Sequence, residues 1–230
     1  MREKINHPLA SYLETLIEGL NLASIAEDLE KYNVPKLVSK KRILYKAAII
    51  TICASWEAYL ETVVDNSLNC LIDKATSHQQ IPYSVLVRIS NRLNKSPDER
   101  NIWKISDDGW KLEFRSNFDI LKNNFNTPRP KNVDDFILKT LGINKISSHW
   151  HWKGQTFEKS IKKLDDFMDL RGDLTHRFLS NQVVTLKTLK SYSNFFYRIA
   201  TITANVLRKH IHSLVNEYPW IYYSPRNIYN

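Results

Sequence analysis

Leu9, Leu13, Leu16, Ile17 and Leu20 recur at three- and four-residue steps, which predicts an amphipathic helix running to about Leu29 and closed by Pro35. From Val38, the series Ile43, Leu44, Ala47, Ile50, Ala54, Ala58 and Val64 predicts a second helix reaching about Ile72, long enough to be the spine of a bundle. Residues 83–155 change character. Short apolar clusters alternate there with breaks such as Asn94-Lys95-Ser96-Pro97 and Thr127-Pro128-Arg129-Pro130, which predicts an irregular helical insertion. A clean stripe returns with Phe157, Ile161, Leu164, Phe167 and Met168, ending near Arg177, and one more helix is expected between about Val184 and Val215. Two long helices before the insertion and two after it predict an all-α fold with a four-helix-bundle core. The expected layout is one domain, with core helices at about 9–75 and 156–216, the insertion at about 76–155 and an aromatic tail at 217–230. Tyr218-Pro219-Trp220-Ile221-Tyr222-Tyr223 is too short and too Pro-broken to be a helix, so it is expected to pack on the bundle or on a second copy.

Composition narrows the classes. With 230 residues, 43% of them hydrophobic, the chain can bury one sizeable core. Only five glycines are present, which excludes collagen-like and turn-rich all-β readings and disfavours the glycine loops of nucleotide-binding sites. Cys53 and Cys70 fall on the same predicted helix, about 25 Å apart, so they cannot pair with each other, and a reducing compartment is expected. The N-terminus has no apolar signal core, and the longest apolar stretch, around Ala47 to Ala54, falls short of the roughly 20 residues of a membrane span. A cytoplasmic protein without a membrane partner is the expectation.

Charge adds a partner class. A formal net charge of +9 favours polyanions. The charge is also segregated along the chain: residues 1–30 carry six acids, whereas Lys31, Lys36, Lys40, Lys41, Arg42 and Lys46 lie in a stretch without any. A second acid-free run holds Arg177, Lys187, Lys190, Arg198, Arg208 and Lys209. Such blocks suit a phosphate backbone, Lys41, Arg42, Arg177, Lys187 and Lys190 being the candidate RNA contacts, although a solvated face of incidental sign reads equally well.

Candidate chemistry concentrates in Asp165-Asp166-Phe167-Met168-Asp169-Leu170-Arg171-Gly172-Asp173-Leu174-Thr175-His176, where an Arg and a His are separated by four residues. The spacing alone is weak, because Arg2 and His7 repeat it before Pro8. Arg171 and His176, however, end a strongly periodic helix that can hold them in fixed geometry. With this motif the chain resembles the HEPN superfamily of all-helical domains, many of which are metal-independent endoribonucleases with an Arg-x4-6-His signature. Ser55-Trp56-Glu57-Ala58-Tyr59-Leu60-Glu61, and Leu141-Gly142-Ile143-Asn144-Lys145-Ile146 followed by Trp150-His151-Trp152, are similar to segments of the prokaryotic RiboL-PSP group. Many catalytic members place Asn, Asp or His directly after the Arg. Here that position is Gly172, with Asp173 the candidate replacement.

The resemblance implies RNA cleavage without a cofactor. RNA carries its own nucleophile, the 2′-hydroxyl, so the protein needs only a base, an acid and charge stabilisation at the phosphate. His176, with an ordinary pKa of about 6.5, can exchange protons at neutral pH, and Arg171 can fork onto phosphate oxygens. Glu57 and Thr175 are supporting candidates, the first to orient Arg171 and the second by fraying the helix end. On an ideal helix the two side chains point about 140° apart, so a homodimer with a composite site is expected. The resemblance further implies a toxin or defence effector with a neutralising or regulatory protein partner. Competing readings are a non-catalytic RNA- or protein-binding HEPN-like module, or an interaction bundle whose basic faces dock an acidic protein. In these Arg171 pairs with Asp169 or Asp173, and His176 caps its own helix. Trp56 and Tyr59 read as core or interface aromatics. His149 with His151, and His210 with His212, lack nearby ligands, so no metal site is expected.

Overall fold

In this computed structural model, residues 8–31, 38–95, 98–176 and 184–224 are described, apart from the side chains of Glu30, residues 38–40 and His176. The longest helix forms where the chain has neither glycine nor proline for 37 residues: α2, Val38–Lys74. Its buried positions, among them Ala48, Ile52, Trp56, Tyr59, Val63 and Leu68, occupy more than one side, so it is wrapped by neighbours. α1 (Pro8–Lys31) folds back along it. The two approach closely at Gly19, where a Cβ would stand 3.0 Å from Ile52 Cγ1. α7 (Leu186–Val215) runs parallel to α2, with Trp56 against Phe196 at 5.7 Å and the Tyr59 hydroxyl donating to the Ala200 carbonyl at 2.7 Å. α6 (Phe157–His176) touches both, through Cys53–Met168 at 3.7 Å and Phe167–Phe196 at 4.7 Å. These four boundaries lie close to the expected ones.

The insertion differs from expectation in being regular. Among the described residues it consists of α3 (Tyr83–Asn94), α4 (Gly109–Asn123) and α5 (Pro130–Leu141), linked by short 3-10 turns. Each apolar stripe is short: Val85, Ile89 and Leu93; Phe114 and Phe118; Val133, Phe136, Ile137 and Leu141. Helices this short hold only through mutual packing, which is why the pattern reads weakly. Buried Asn117 ties all three together, accepting from Arg88 Nε at 3.2 Å and donating to the Lys139 carbonyl at 3.1 Å. Arg115–Asp65 and Lys122–Glu61 dock α4 on α2. Gly142 closes α5 at φ +77, where a Cβ would stand 2.3 Å from Pro82 Cβ, so only glycine fits.

Trp56 is fully buried against Tyr12, Tyr59, Trp150 and Phe196. Trp150 donates to Thr203 Oγ1 of α7 at 2.9 Å. These aromatics form the core. The tail packs on its own bundle: Asn205 exchanges two hydrogen bonds with the Tyr223 backbone, and Arg208 Nε donates to the Trp220 carbonyl at 2.8 Å. Contrary to the sequence reading, Lys41–Lys74 is long and apolar enough by length and composition to cross a membrane; here that segment is the bundle's central helix.

Candidate active site

The last turns of α6 present three faces. Leu164, Met168 and Arg171 point along the α2 side, Lys163 and Phe167 meet α7, and Asp165 and Asp169 turn toward the start of α5. Arg171 is half-buried, and its Nε is buried without a hydrogen bond among the described residues. Across from it on α2 stand Cys53 and Glu57. Burial pushes the Cys53 thiol up to about 11, with the Arg171 charge pulling against that shift. Burial and then Glu61 raise the Glu57 carboxyl above its ordinary range, again opposed by Arg171. Glu57 thus faces the guanidinium through space, without a direct ion pair among the described residues.

The nearby acids are engaged elsewhere, which overturns the reading that Asp169 neutralises Arg171. Asp169 accepts from Arg129 at 2.6 Å and Asp165 from the same guanidinium at 3.3 Å, while Asp166 holds Lys162 at 3.0 Å. Asp173 lies half-exposed one turn on. Thr175 does not fray the helix: its hydroxyl donates to the Arg171 and Gly172 carbonyls at 2.9 and 3.0 Å, and the helix stays regular through His176. The separation of about 140° between positions 171 and 176 therefore holds here. A Cβ at Gly172 would meet nothing within 4 Å. Arg177 and the Arg2/His7 pair lie outside the described residues.

Because α2 and α7 run parallel, Lys41 and Arg42 near the start of α2 and Lys187 and Lys190 near the start of α7 lie toward the same end of the bundle. Arg42, Lys187 and Lys190 are exposed. Folding also undoes part of the segregation seen along the chain, because the α1 hairpin delivers acids to the same end: Glu27 lies 3.5 Å from Lys41 and accepts from Tyr45. Arg198 and Arg208 are used otherwise, Arg198 over the Trp152 ring at 5.3 Å and Arg208 over Tyr218 at 3.6 Å. Alongside Glu57, α2 exposes Ile43, Ile50, Ala54 and Ala58 at helical spacing.

Two features were not visible beforehand. Arg129 reaches α6 from the insertion, for which the only signal was the rigid Pro128-Arg129-Pro130 corner. Cys53 sits against Arg171 because α6 crosses α2 there. The His210/His212 pair has other partners: His210 Nε2 meets the Leu141 carbonyl at 2.8 Å, and His212 stacks on Tyr218 at 3.9 Å. Among the described residues no three His, Cys, Asp or Glu side chains cluster as a metal set.

No curated protein and no solved structure matches the chain. The RiboL-PSP-HEPN family matches residues 14–209. That span runs from the second turn of α1 to the last turns of α7 and contains Trp56, Glu57, Trp150, Arg171 and His176. With its all-helical architecture and a match over most of its length, the chain belongs to the RiboL-PSP-HEPN family.

Proposed function

We propose that this protein is a metal-independent endoribonuclease. It cuts single-stranded RNA by attack of the 2′-hydroxyl on the adjacent phosphate, leaving a 2′,3′-cyclic phosphate and a 5′-hydroxyl. Family membership supports an RNase-like role in general. The observation that carries the specific reading is Arg171, a half-buried guanidinium whose Nε lacks a partner while Asp165 and Asp169 beside it are held by Arg129. A buried guanidinium N–H without a partner costs folding stability and suits an added acceptor such as a phosphate oxygen. Arg171 binds the phosphate oxygens. His176 exchanges the protons of the nucleophile and the leaving oxygen, and Glu57 tunes Arg171 from α2.

Acid and base roles together need two proton carriers, and one regular helix sets positions 171 and 176 about 140° apart. A two-fold dimer supplies both, with His176 of the partner subunit opposite the first, and the exposed stripe Ile43, Ile50, Ala54 and Ala58 beside Glu57 is the face a second copy would cover. Such a nuclease, cutting cellular or invader RNA as a toxin or defence effector, requires a neutralising protein or a trigger.

The test incubates purified protein with end-labelled single-stranded RNA and matching DNA in EDTA, comparing wild type with His176→Ala, Arg171→Ala and His7→Ala. Expected is RNA cleavage with cyclic-phosphate ends by wild type and His7→Ala only, with DNA untouched. A folded, inhibitor-free dimer that leaves RNA intact but binds it would overturn catalysis in favour of a binding module.

A further inference from the structure

The insertion reaches α6, the helix that carries Arg171, through Arg129. Arg129 stands between Pro128 and Pro130 at the start of α5, and its backbone is fixed on both sides: its N–H donates to the Thr127 carbonyl at 2.7 Å and its carbonyl accepts from Val133 at 2.9 Å. The corner is further pinned to the core, because the indole of Trp56 donates to the Pro128 carbonyl at 3.3 Å. Asn132 adds a donor to the Thr127 carbonyl at 2.8 Å. From this anchored position the guanidinium spans Asp165 and Asp169, one turn apart on α6.

On α6, positions 165, 169, 172 and 176 share one face. The two carboxylates therefore lie on the stripe that ends at His176, and Asp169 is two residues from Arg171. At Gly172, between Asp169 and His176, no side chain intervenes and the space is open. A strand of RNA reaching Arg171 and His176 passes within about 10 Å of both acids, a distance at which unscreened like charges still repel at low salt. Arg129 remains more than a third exposed, so it stays within reach of solvent and ligand while holding both acids.

We infer that Arg129 is a positioning residue for RNA. By holding and neutralising Asp165 and Asp169, it keeps the His176 face of α6 open to a phosphate backbone. This rests on the nuclease reading and gives the insertion a task in it, the electrostatic preparation of the catalytic helix. The alternative role for the same contacts is a mechanical brace between α5 and α6, and charge substitution separates the two.

The experiment measures kcat/KM for RNA cleavage, and RNA affinity by fluorescence anisotropy, over a range of salt. It compares wild type, Arg129→Ala, Asp165→Asn/Asp169→Asn and the triple variant, each checked for folding by thermal unfolding. Arg129→Ala is expected to lose about tenfold at low ionic strength, with the gap closing as salt rises. The double variant is expected to match or exceed wild type, and the triple variant to return to within about twofold of it. A brace predicts otherwise: breaking it from either side should cost the same, so a double variant as weak as Arg129→Ala, with no recovery in the triple variant, overturns the proposal. If wild type binds RNA without cutting it, the nuclease reading fails alone and the order of affinities still decides the role of Arg129. If wild type neither cuts nor binds RNA, both fall.

Discussion

Two Arg/His pairs at similar helical spacing sit on neighbouring helices and are treated differently by the fold. On α7, Arg208 lies 3.6 Å from the Tyr218 ring and donates to the Trp220 carbonyl, while His212 stacks on the same tyrosine at 3.9 Å. That pair is consumed in fastening the C-terminal tail. On α6, Arg171 keeps an unbonded Nε, and Asp165 and Asp169 of the same helix are engaged by a third element. Residue type and spacing therefore do not distinguish a structural pair from the one proposed here to act on RNA. What distinguishes them is whether the fold has already satisfied the polar atoms.

The sharpest way to break this comparison is to exchange the consequences. Arg171→Met is expected to lower RNA cleavage by roughly a thousandfold, the scale of losing charge stabilisation or proton transfer, while Tm stays level or rises because a buried, unpaired Nε–H has gone. Arg208→Met is expected to do the reverse. Loss of a ring contact and a carbonyl hydrogen bond costs about 1–2 kcal/mol, a drop of about 3–6 °C in Tm, with cleavage within twofold. Paired melting curves and initial rates decide it, and a cleavage defect in a folded Arg208→Met protein would dissolve the distinction.

Much of this was readable from the sequence. The core helices carry long apolar stripes, so their limits were legible to within a few residues: α2 expected from Val38 to about Ile72 spans Val38–Lys74, and α6 expected to about Arg177 is helical through His176, where the described residues break off. Stripes of only two to four buried positions hid α3, α4 and α5 among the Asn and Pro breaks. For the site, periodicity placed Arg171 on a held helix, and Trp56 and Tyr59 did prove to be core. Tertiary charge pairing was not legible. Glu27 meeting Lys41, and Arg129 meeting Asp165 and Asp169, join residues 14 to 40 positions apart, and no local pattern encodes that.

A smaller effect separates the two ends of the bundle by pH. His210, on the Arg208 side, donates from Nε2 to the Leu141 carbonyl, since a carbonyl can only accept, and burial lowers its pKa from the ordinary 6.5, partly offset by that bond. The unfolded chain then takes up the proton more readily than the folded one. Stability is therefore greatest above pH 6.5 and declines as pH falls from there toward the lower folded value. Wild type is expected to lose stability across that window relative to His210→Gln, which keeps the donor but does not titrate. The pH dependence of cleavage should follow His176 and be unchanged in His210→Gln. A shifted activity profile in that variant would join the two ends.

The smallest expected effect lies at Gly172. A glycine inside a regular helix costs backbone entropy, and a side chain there meets only open space, so Gly172→Asn is expected to gain a few tenths of a kcal/mol. The position follows Arg171 directly and lies on the face of His176, where a polar group can reach the phosphate or water between them. Cleavage should therefore rise a fewfold along with the small gain in Tm. Lys209→Asn, the exposed neighbour that follows Arg208, should leave the rate unchanged. If both substitutions leave cleavage alone, the residue after Arg171 takes no part in the chemistry, and the site's polarity comes from Glu57 and from the second subunit.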